Sequence, residues 1–210
     1  MMYDVDFFFD PVCPWAWITS RWVSEVASLR SLEVNWKFIS LSMVNSERDY
    51  QNEFPAGHNE IHILGLNLLR IAGAVRDEAG NSAVGRFYTD VGTSIHAKRK
   101  REEFKDPGKV ADFLSSAGYQ SGLIDAMADP SRDRVIEEET KLALDRAGRD
   151  IGTPVITFAP PDGPSFFGPV ISRIPRGEDA LALWEATERL ALFPGFAELK
   201  RSVRESPQVV

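Results

Sequence analysis

The sequence predicts an α/β fold in which two strand-containing segments flank a long helical segment. Three observations support this prediction. A strand, a helix and a second strand follow one another at the start of the chain, strand patterns return only in its last third, and the stretch between them carries helical spacing. With 210 residues, the chain is long enough to bury a core without disulfide bonds.

The first segment has the pattern of a strand–helix–strand unit. The apolar run DVDFFF ends at Asp10 and Pro11, which is typical of a buried strand. Apolar residues then recur every three or four positions, as on one face of a helix: Ile18, Trp22, Val26 and Leu29. Pro14 suits the first turn of that helix, where the missing N–H of proline is not needed. The alternating run LEVNWKFI predicts the second strand.

The rest of the chain is predicted to be helical first and to return to strands later. Residues 45–150 show one apolar stripe at helical spacing, formed by Ile61, Leu64, Leu68, Ile71 and Val75. Two short strands at 155–158 and 165–167 flank the turn signal APPDGP, and a last helix begins at Glu178. Without the helical block, this is the thioredoxin order of elements. We therefore predict a discontinuous thioredoxin-like domain (1–44 and 151–210) with an inserted helical domain (45–150).

Charge and hydropathy exclude two classes of partner. The net charge of −7 argues against general nucleic-acid binding, and the single basic run (98–101) is followed directly by two glutamates, as at a solvated helix end. The N-terminus shows no signal peptide, and no apolar run is long enough to cross a bilayer. We therefore predict a cytoplasmic protein without nucleic-acid or membrane partners.

The chain has one cysteine, Cys13, so an intramolecular disulfide cannot form. Cys13 lies at the predicted junction between the first strand and the first helix. The N–H groups and the dipole of a helix N-terminus stabilise a thiolate, which is the nucleophilic form of cysteine. The alternative interpretation is a buried structural thiol.

A second feature is the string Gly152-Thr153-Pro154, just before the third predicted strand. In thioredoxin folds, a cis-proline at this point faces the reactive cysteine and positions the backbone of the substrate. Cis peptide bonds are nearly confined to X–Pro bonds. The alternative is an ordinary trans proline that opens a strand.

Several strings together resemble one known family. DPVCPWAWITSRW, SLEVNWKF, GTPVI and FFGPVISRIPRGEDALALW are similar to the mycothiol-dependent nitroreductases, a branch of the DsbA-like oxidoreductases. GTSIH, which ends at His96, resembles the same family more weakly. The long FFGPV…IPRGE string is specific, whereas CPW alone would be weak.

The resemblance implies a DsbA-like thioredoxin domain with an inserted helical lid. It implies no permanently bound cofactor, and a low-molecular-weight thiol, mycothiol, as cosubstrate. Carried over by position, Cys13 is the catalytic nucleophile. The substrate-binding residues implied in the same way are Pro14, Trp15, Asn45, His96, Thr153 and Pro154.

One departure from the family changes the expected chemistry. The best-known members carry Cys-Pro-Trp-Cys, and this chain has Ala16 at the fourth position. We interpret Ala16 as the natural residue rather than a substituted cysteine. Without a second thiol, the adduct that the Cys13 thiolate forms with a disulfide or an electrophile must be resolved by an external small thiol.

Two other functions remain open from the sequence. In a kappa-class glutathione-transferase-like or isomerase-like enzyme, the bound thiol itself would be the reagent. A non-catalytic thiol-binding relative is the third interpretation. His58 and His62 do not form the zinc-protease motif HExxH, because the glutamate is Glu60, and no metal site is predicted.

Overall fold

The computed structural model describes residues 3–202 and 205–210. Contacts along the chain divide it into two compact units. The sheet unit extends to Phe9 and continues over Cys13–Lys37 and from Ala143 onward, and the helical unit comprises Asp10–Val12 and Phe38–Leu142. The helical unit therefore includes the three residues that precede Cys13, which the sequence assigned to the thioredoxin-like domain. The predicted helical domain starts and ends about seven residues later, at 45 and 150.

Within residues 3–202 and 205–210, the sheet has four strands in the order β2-β1-β3-β4. They are β1 (Val5–Phe9), β2 (Val34–Phe38), β3 (Val155–Phe158) and β4 (Ser165–Phe167). β1 pairs antiparallel with β3, so that Val5 lies opposite Phe158, and β3 pairs antiparallel with β4. All five residues of β1 and all four of β3 are buried, as expected for central strands that are covered on both faces.

The described α-helices follow the predicted order. They are α1 (Pro14–Arg30), α2 (Leu41–Val44), α3 (Tyr50–Glu53), α4 (His58–Ala79), α5 (Asn81–Gly92), α6 (Pro107–Ser116), α7 (Asp133–Ala147) and α8 (Gly177–Leu192). Short 3₁₀ helices occupy 101–105, 121–128 and 130–132. A π-helical turn (Thr93–Ala97) continues α5, and the N–H of Lys98 donates to the carbonyl of Thr93 over 2.9 Å. The hydrogen-bond pattern of the helix thus widens locally over these five residues.

Two tryptophans join α1 and α8 in the core of the sheet unit. Trp22 and Trp184 are both almost fully buried, with ring centroids 5.5 Å apart, and Trp184 also contacts Phe158 of β3 at 5.4 Å. The indole N–H of Trp22 donates to the carbonyl of Ala180 over 2.9 Å. The aromatic contact and the hydrogen bond together hold α8 against α1 and the central strand.

The helical unit is organised around α4. The guanidinium of Arg70 makes two hydrogen bonds of 2.6 and 2.7 Å to the carboxylate of Asp133 at the start of α7. Two turns further on, Arg76 donates to Glu139 of α7 over 2.8 Å, and Glu139 accepts the backbone N–H of Phe38 over 2.8 Å. The bidentate Arg70–Asp133 pair and the single Arg76–Glu139 bond, all between half-buried side chains, tie α4 to α7.

Among the described residues, no helix is both long and apolar enough to span a membrane.

We expect Trp184→Ala to lower the free energy of unfolding by about 3–5 kcal/mol, because a large buried ring is replaced by a cavity. Urea unfolding measures this change. Leu192→Ala is the matched control at the end of the same helix: its side chain is 52% exposed, so the expected change is within about 0.5 kcal/mol. Similar losses in both variants would contradict this account of the core.

Candidate thiol site

Cys13 is the N-cap residue of α1. Its backbone is extended (φ −78°, ψ 115°), and the helix begins at Pro14, as the sequence predicts. Cys13 is 7% exposed and is not in a disulfide. The N-cap position places its side chain at the end of the helix where backbone N–H groups are available as donors.

The sulfur of Cys13 contacts two backbone groups of opposite character. The N–H of Ala16 donates to Sγ over 3.5 Å, and the carbonyl oxygen of Thr153 lies 3.5 Å from Sγ on the acceptor side. A neutral thiol can donate its S–H to Thr153, whereas a thiolate cannot donate and is stabilised by the Ala16 N–H and the helix dipole. The site can therefore hold both states of the sulfur, with a different backbone partner for each.

Thr153 and Pro154 lie directly before β3, and the peptide bond between them is cis, as the sequence predicts. The hydroxyl of Thr153 donates to the carbonyl of Phe8 in β1 over 3.1 Å. The carbonyl of Pro154 accepts the N–H of Gly168 over 2.8 Å. Both residues are buried, and the two hydrogen bonds hold the turn from the β1 side and from the Gly168 side.

The string FFGPV has a structural role that the sequence did not reveal. Gly168 combines a positive φ of 100° with the hydrogen bond to Pro154, and a Cβ there would lie 2.9 Å from the backbone nitrogen of Val170. The carbonyl of the next residue, Pro169, accepts the hydroxyl of Thr19 in α1 over 2.8 Å. This one string therefore connects the cis-proline turn to the helix that starts at Cys13.

The residues after Cys13 differ in exposure. Pro14 and Trp15 are half-buried, which leaves part of each side chain accessible to a ligand. Trp17 is 3% exposed and belongs to the core: its indole N–H donates to the carbonyl of Val209 over 3.1 Å, and the guanidinium of Arg21 lies 4.3 Å from its ring centroid.

Asn45 belongs to the helical unit. It is the C-cap residue of α2, and its side-chain amide donates to the carbonyl of Leu41 over 2.8 Å. The side chain is half-buried. The backbone contact therefore orients the amide, and its predicted role in binding a substrate stays a prediction.

His96 also belongs to the helical unit, in the π-helical turn. Its Nε2 lies 2.9 Å from the carbonyl oxygen of Pro11. A carbonyl only accepts hydrogen bonds, so Nε2 carries the proton in this contact. Burial lowers the pKa of His96 to about 4, outweighing the opposite effect of the bond to Pro11, so the ring is neutral at pH 7.

The other two histidines lie at the start of α4. Nδ1 of His62 is 2.8 Å from the hydroxyl of Tyr50, and Nδ1 of His58 is 3.1 Å from the carbonyl of Pro55. In the part of the chain that the structure describes, no three His, Cys, Asp or Glu side chains are grouped to hold a metal ion.

Comparison with known proteins decides the family. A family model described as "Rv2466c-like: Mycothiol-dependent nitroreductase Rv2466c" matches residues 12–201, which is most of the chain. The chain belongs to this family. A curated relative is the uncharacterized protein Rv2286c of Mycobacterium tuberculosis, 29% identical over 201 residues, which cover 95% of this chain and 82% of the relative.

Two solved structures are similar to this Rv2466c-like chain. One is a 2-hydroxychromene-2-carboxylate isomerase, with a TM-score of 0.58 and 15% identity over 89% of this chain and 95% of that one. The other is a candidate protein-disulfide isomerase from Pseudomonas syringae, with a TM-score of 0.51 and 14% identity over 87% and 91% of the two chains. The predicted α/β fold of the thioredoxin-like, DsbA-like type is confirmed, and the chain is an enzyme of this oxidoreductase family.

The structure places the predicted site residues in both units. It brings Cys13 and Thr153 together, with Pro14, Trp15 and Pro154 next to them in the sequence. Asn45 and His96 lie in the helical unit. Their individual roles in binding or catalysis stay predictions. The structure adds Gly168 to the surroundings of the cis-proline, and a positive-φ glycine cannot be recognised from residue type alone.

We expect the neutral, buried His96 to make stability depend on pH. Its pKa is lowered from 6.5 to about 4, so it stabilises the folded state above pH 6.5, and this contribution, about 3 kcal/mol in full, is lost as the pH falls to 4. His96→Gln keeps a donor for the Pro11 carbonyl but does not titrate. Urea unfolding between pH 7 and 4 should therefore show a steeper loss of stability for the wild type than for His96→Gln.

His62 has a similarly lowered pKa, but it is present in both proteins, so its contribution cancels in the difference. Parallel stability profiles for the two proteins would contradict the buried neutral state of His96.

Proposed function

We propose that this chain is a thiol-dependent oxidoreductase that uses Cys13 as its single nucleophile and an external small thiol, mycothiol, to resolve the mixed disulfide. One observation carries the proposal: the only cysteine of the chain is the N-cap of α1, with the Ala16 N–H directed at its sulfur. That position favours the thiolate, the form that attacks disulfides.

The proposed cycle has two exchange steps. The thiolate of Cys13 attacks one sulfur of a substrate disulfide, a new S–S bond forms, and the other substrate sulfur leaves as a thiolate. A second small thiolate then attacks the sulfur of the bound substrate half, which restores the Cys13 thiolate and releases a new small-molecule disulfide. Each step conserves electrons, because one disulfide breaks as another forms.

The proposed substrate-binding residues contribute different groups. The Thr153 carbonyl beside the sulfur, followed by the cis-Pro154, suits the backbone role that this turn has in thioredoxin folds. Pro14 and Trp15 offer partly accessible apolar surface next to Cys13. From the helical unit, Asn45 offers an amide, and His96 acts on the backbone of Pro11.

The choice of mycothiol as cosubstrate is supported by the family to which the chain belongs. Mycothiol is a neutral sugar–inositol conjugate of cysteine, which calls for hydrogen-bonding and stacking partners such as amides and aromatic rings. Glutathione carries carboxylates that call for cationic partners. We therefore propose that the site prefers mycothiol over glutathione.

Incubation with oxidised mycothiol should add one mycothiol per chain, detected by intact-protein mass spectrometry. Added free thiol should remove the adduct at a rate that rises with thiol concentration, because no internal thiol competes. Oxidised glutathione should react more slowly. Cys13→Ser is the control, and it should form no adduct with either disulfide.

Absence of an adduct on the wild-type chain would contradict the single-thiol mechanism. Transferase or isomerase activity that survives Cys13→Ser would instead support the kappa-class-like alternative, in which the bound thiol is the reagent. Adduct formation without turnover of any disulfide substrate would support a non-catalytic thiol-binding protein.

Ala16→Cys should convert the protein to a dithiol form. A thiol at this position attacks the Cys13 mixed disulfide within the same molecule, and such intramolecular attack is far faster than attack from solution. We expect the adduct to be lost without added thiol, leaving an internal disulfide, which is visible as a mass about 2 Da below that of the reduced chain.

The matched control is Ala16→Ser, which adds a side chain of similar size at the same buried position without a thiol. It should retain the adduct as the wild type does. Retention of the adduct by a folded Ala16→Cys variant would show that the missing second thiol does not determine the lifetime of the mixed disulfide.

A further inference from the structure

We propose that Asp10 is a positioning residue of the thiol site: its buried carboxylate holds the segment Asp10–Val12, whose next residue is Cys13, through bonds made entirely within the helical unit. This inference deepens the proposed function and rests on it for its catalytic consequence. Asp10 would act through the backbone that leads into Cys13, and it is not itself a group that reacts.

Both oxygens of the Asp10 carboxylate are engaged by backbone donors. Oδ1 accepts the N–H of Val12 over 3.1 Å, and Oδ2 accepts the N–H of Leu41, the first residue of α2, over 2.8 Å. The side chain is completely buried. One carboxylate thus closes a turn over Asp10–Val12 and ties that turn to α2.

Helix α4 is shaped to receive this carboxylate. A Cβ built on Gly65 would lie 2.4 Å from Oδ1 and 2.9 Å from Oδ2 of Asp10, which is too close for any real side chain. The carboxylate is held by two hydrogen bonds and cannot swing away as the end of a flexible side chain could. Glycine is therefore required at position 65 for α4 to approach Asp10.

A second contact acts on the same segment. The neutral ring of His96 donates from Nε2 to the carbonyl of Pro11, the middle residue of the turn, over 2.9 Å. The segment is therefore held at Pro11 and Val12 by contacts from the π-helical turn and from the Asp10 carboxylate. Three elements of the helical unit converge on three residues of the chain.

The energetic cost of this arrangement argues for a specific role. The two hydrogen bonds come from backbone N–H groups rather than from a cation, and an ionised carboxylate buried in this way loses much of its solvation. Burial raises the pKa of Asp10 to about 7, although the two hydrogen bonds act in the opposite direction. Perturbed carboxyls of this kind concentrate at functional sites.

Protonation would weaken the turn. A neutral carboxyl carries an O–H on one oxygen, and that oxygen then opposes a backbone N–H donor instead of accepting from it. The backbone leading into Cys13 is accordingly held most firmly when Asp10 is ionised, so the reactivity of Cys13 should fall as the pH drops through about 7.

The titratable groups that neighbour this carboxyl lie in α3, α4 and the π-helical turn. Tyr50 of α3 has a raised pKa, caused first by burial and second by the negative charge of Asp10. His62 of α4 is hydrogen-bonded to the hydroxyl of Tyr50, and burial lowers its pKa to about 4. His96 also titrates near pH 4, and the four residues of α2 do not titrate. These groups keep their charge state between pH 6 and 8.

The test compares wild type with Asp10→Asn, which retains one acceptor oxygen and does not titrate. The rates of Cys13 alkylation by iodoacetamide and of adduct formation with oxidised mycothiol are followed from pH 5.5 to 8.5. Ionisation of Cys13 itself shapes the profiles of both proteins, and we expect the wild-type profiles to show, in addition, an inflection near pH 7 that Asp10→Asn lacks. At pH 8, adduct formation by Asp10→Asn should be about tenfold to a hundredfold slower, because misplaced reacting atoms lose rate on this scale.

Asp90→Asn is the matched control, since Asp90 of α5 accepts the hydroxyl of Tyr119 over 2.7 Å and an amide oxygen can do the same. It should keep the wild-type profiles. If Asp10→Asn does not fold, the wild type alone tests the proposal. The NMR chemical shift of the Asp10 carboxyl carbon must then change with pH around the same pH as the inflection.

Failure of this inference and failure of the proposed function give different results. Two results would overturn the positioning role alone, provided that the adduct forms normally. One is that the profiles of Asp10→Asn match those of the wild type, and the other is that the inflection does not coincide with the Asp10 titration. A wild-type chain that forms no adduct would overturn the proposed function. In that case the alkylation profiles, with or without the Asp10-dependent inflection, still support or overturn the positioning of Cys13.

Discussion

The chemistry of this site depends on a single sulfur held between two backbone groups. Sγ of Cys13 accepts from the N–H of Ala16 and lies beside the carbonyl of Thr153, each at 3.5 Å. Because the Ala16 donor is a main-chain N–H, any residue except proline would supply it at position 16. Alanine at position 16 therefore keeps the main-chain donor beside the sulfur but supplies no second thiol.

The acceptor side of the sulfur depends on contacts between segments far apart in the sequence. Thr153 is anchored to β1 through Phe8, and Pro154 is anchored to Gly168, whose positive φ no β-branched or bulky residue would adopt easily. Pro169 then returns the chain to α1 through Thr19. The geometry on this side of the sulfur therefore depends on Gly168 and Pro169 as well as on Thr153 and Pro154.

The helical unit contributes buried polar groups that form hydrogen bonds to the backbone. The carboxylate of Asp10 and the imidazole of His96 both bond to backbone groups. Burial raises the pKa of Asp10 and lowers the pKa of His96, so each shift favours the neutral form of its side chain. Apolar residues of similar size would cost less free energy to bury, so what these polar groups contribute is the backbone geometry that they impose. In this unit the geometry concerns residues 10–12.

The sequence by itself determined the order of elements, the Cys13 junction and the cis bond before Pro154. These follow from local signals: an apolar run in β1, alternation in β2, helical spacing from Ile18 to Leu29, and the special chemistry of proline. Only the tertiary structure decided that Asp10 is buried against Gly65, that His96 meets Pro11 across 85 positions of the chain, and that Gly168 supports the cis-proline. Those contacts arise from hydrogen bonds and close approaches between remote segments, and neither periodicity nor residue type carries information about which remote groups will meet.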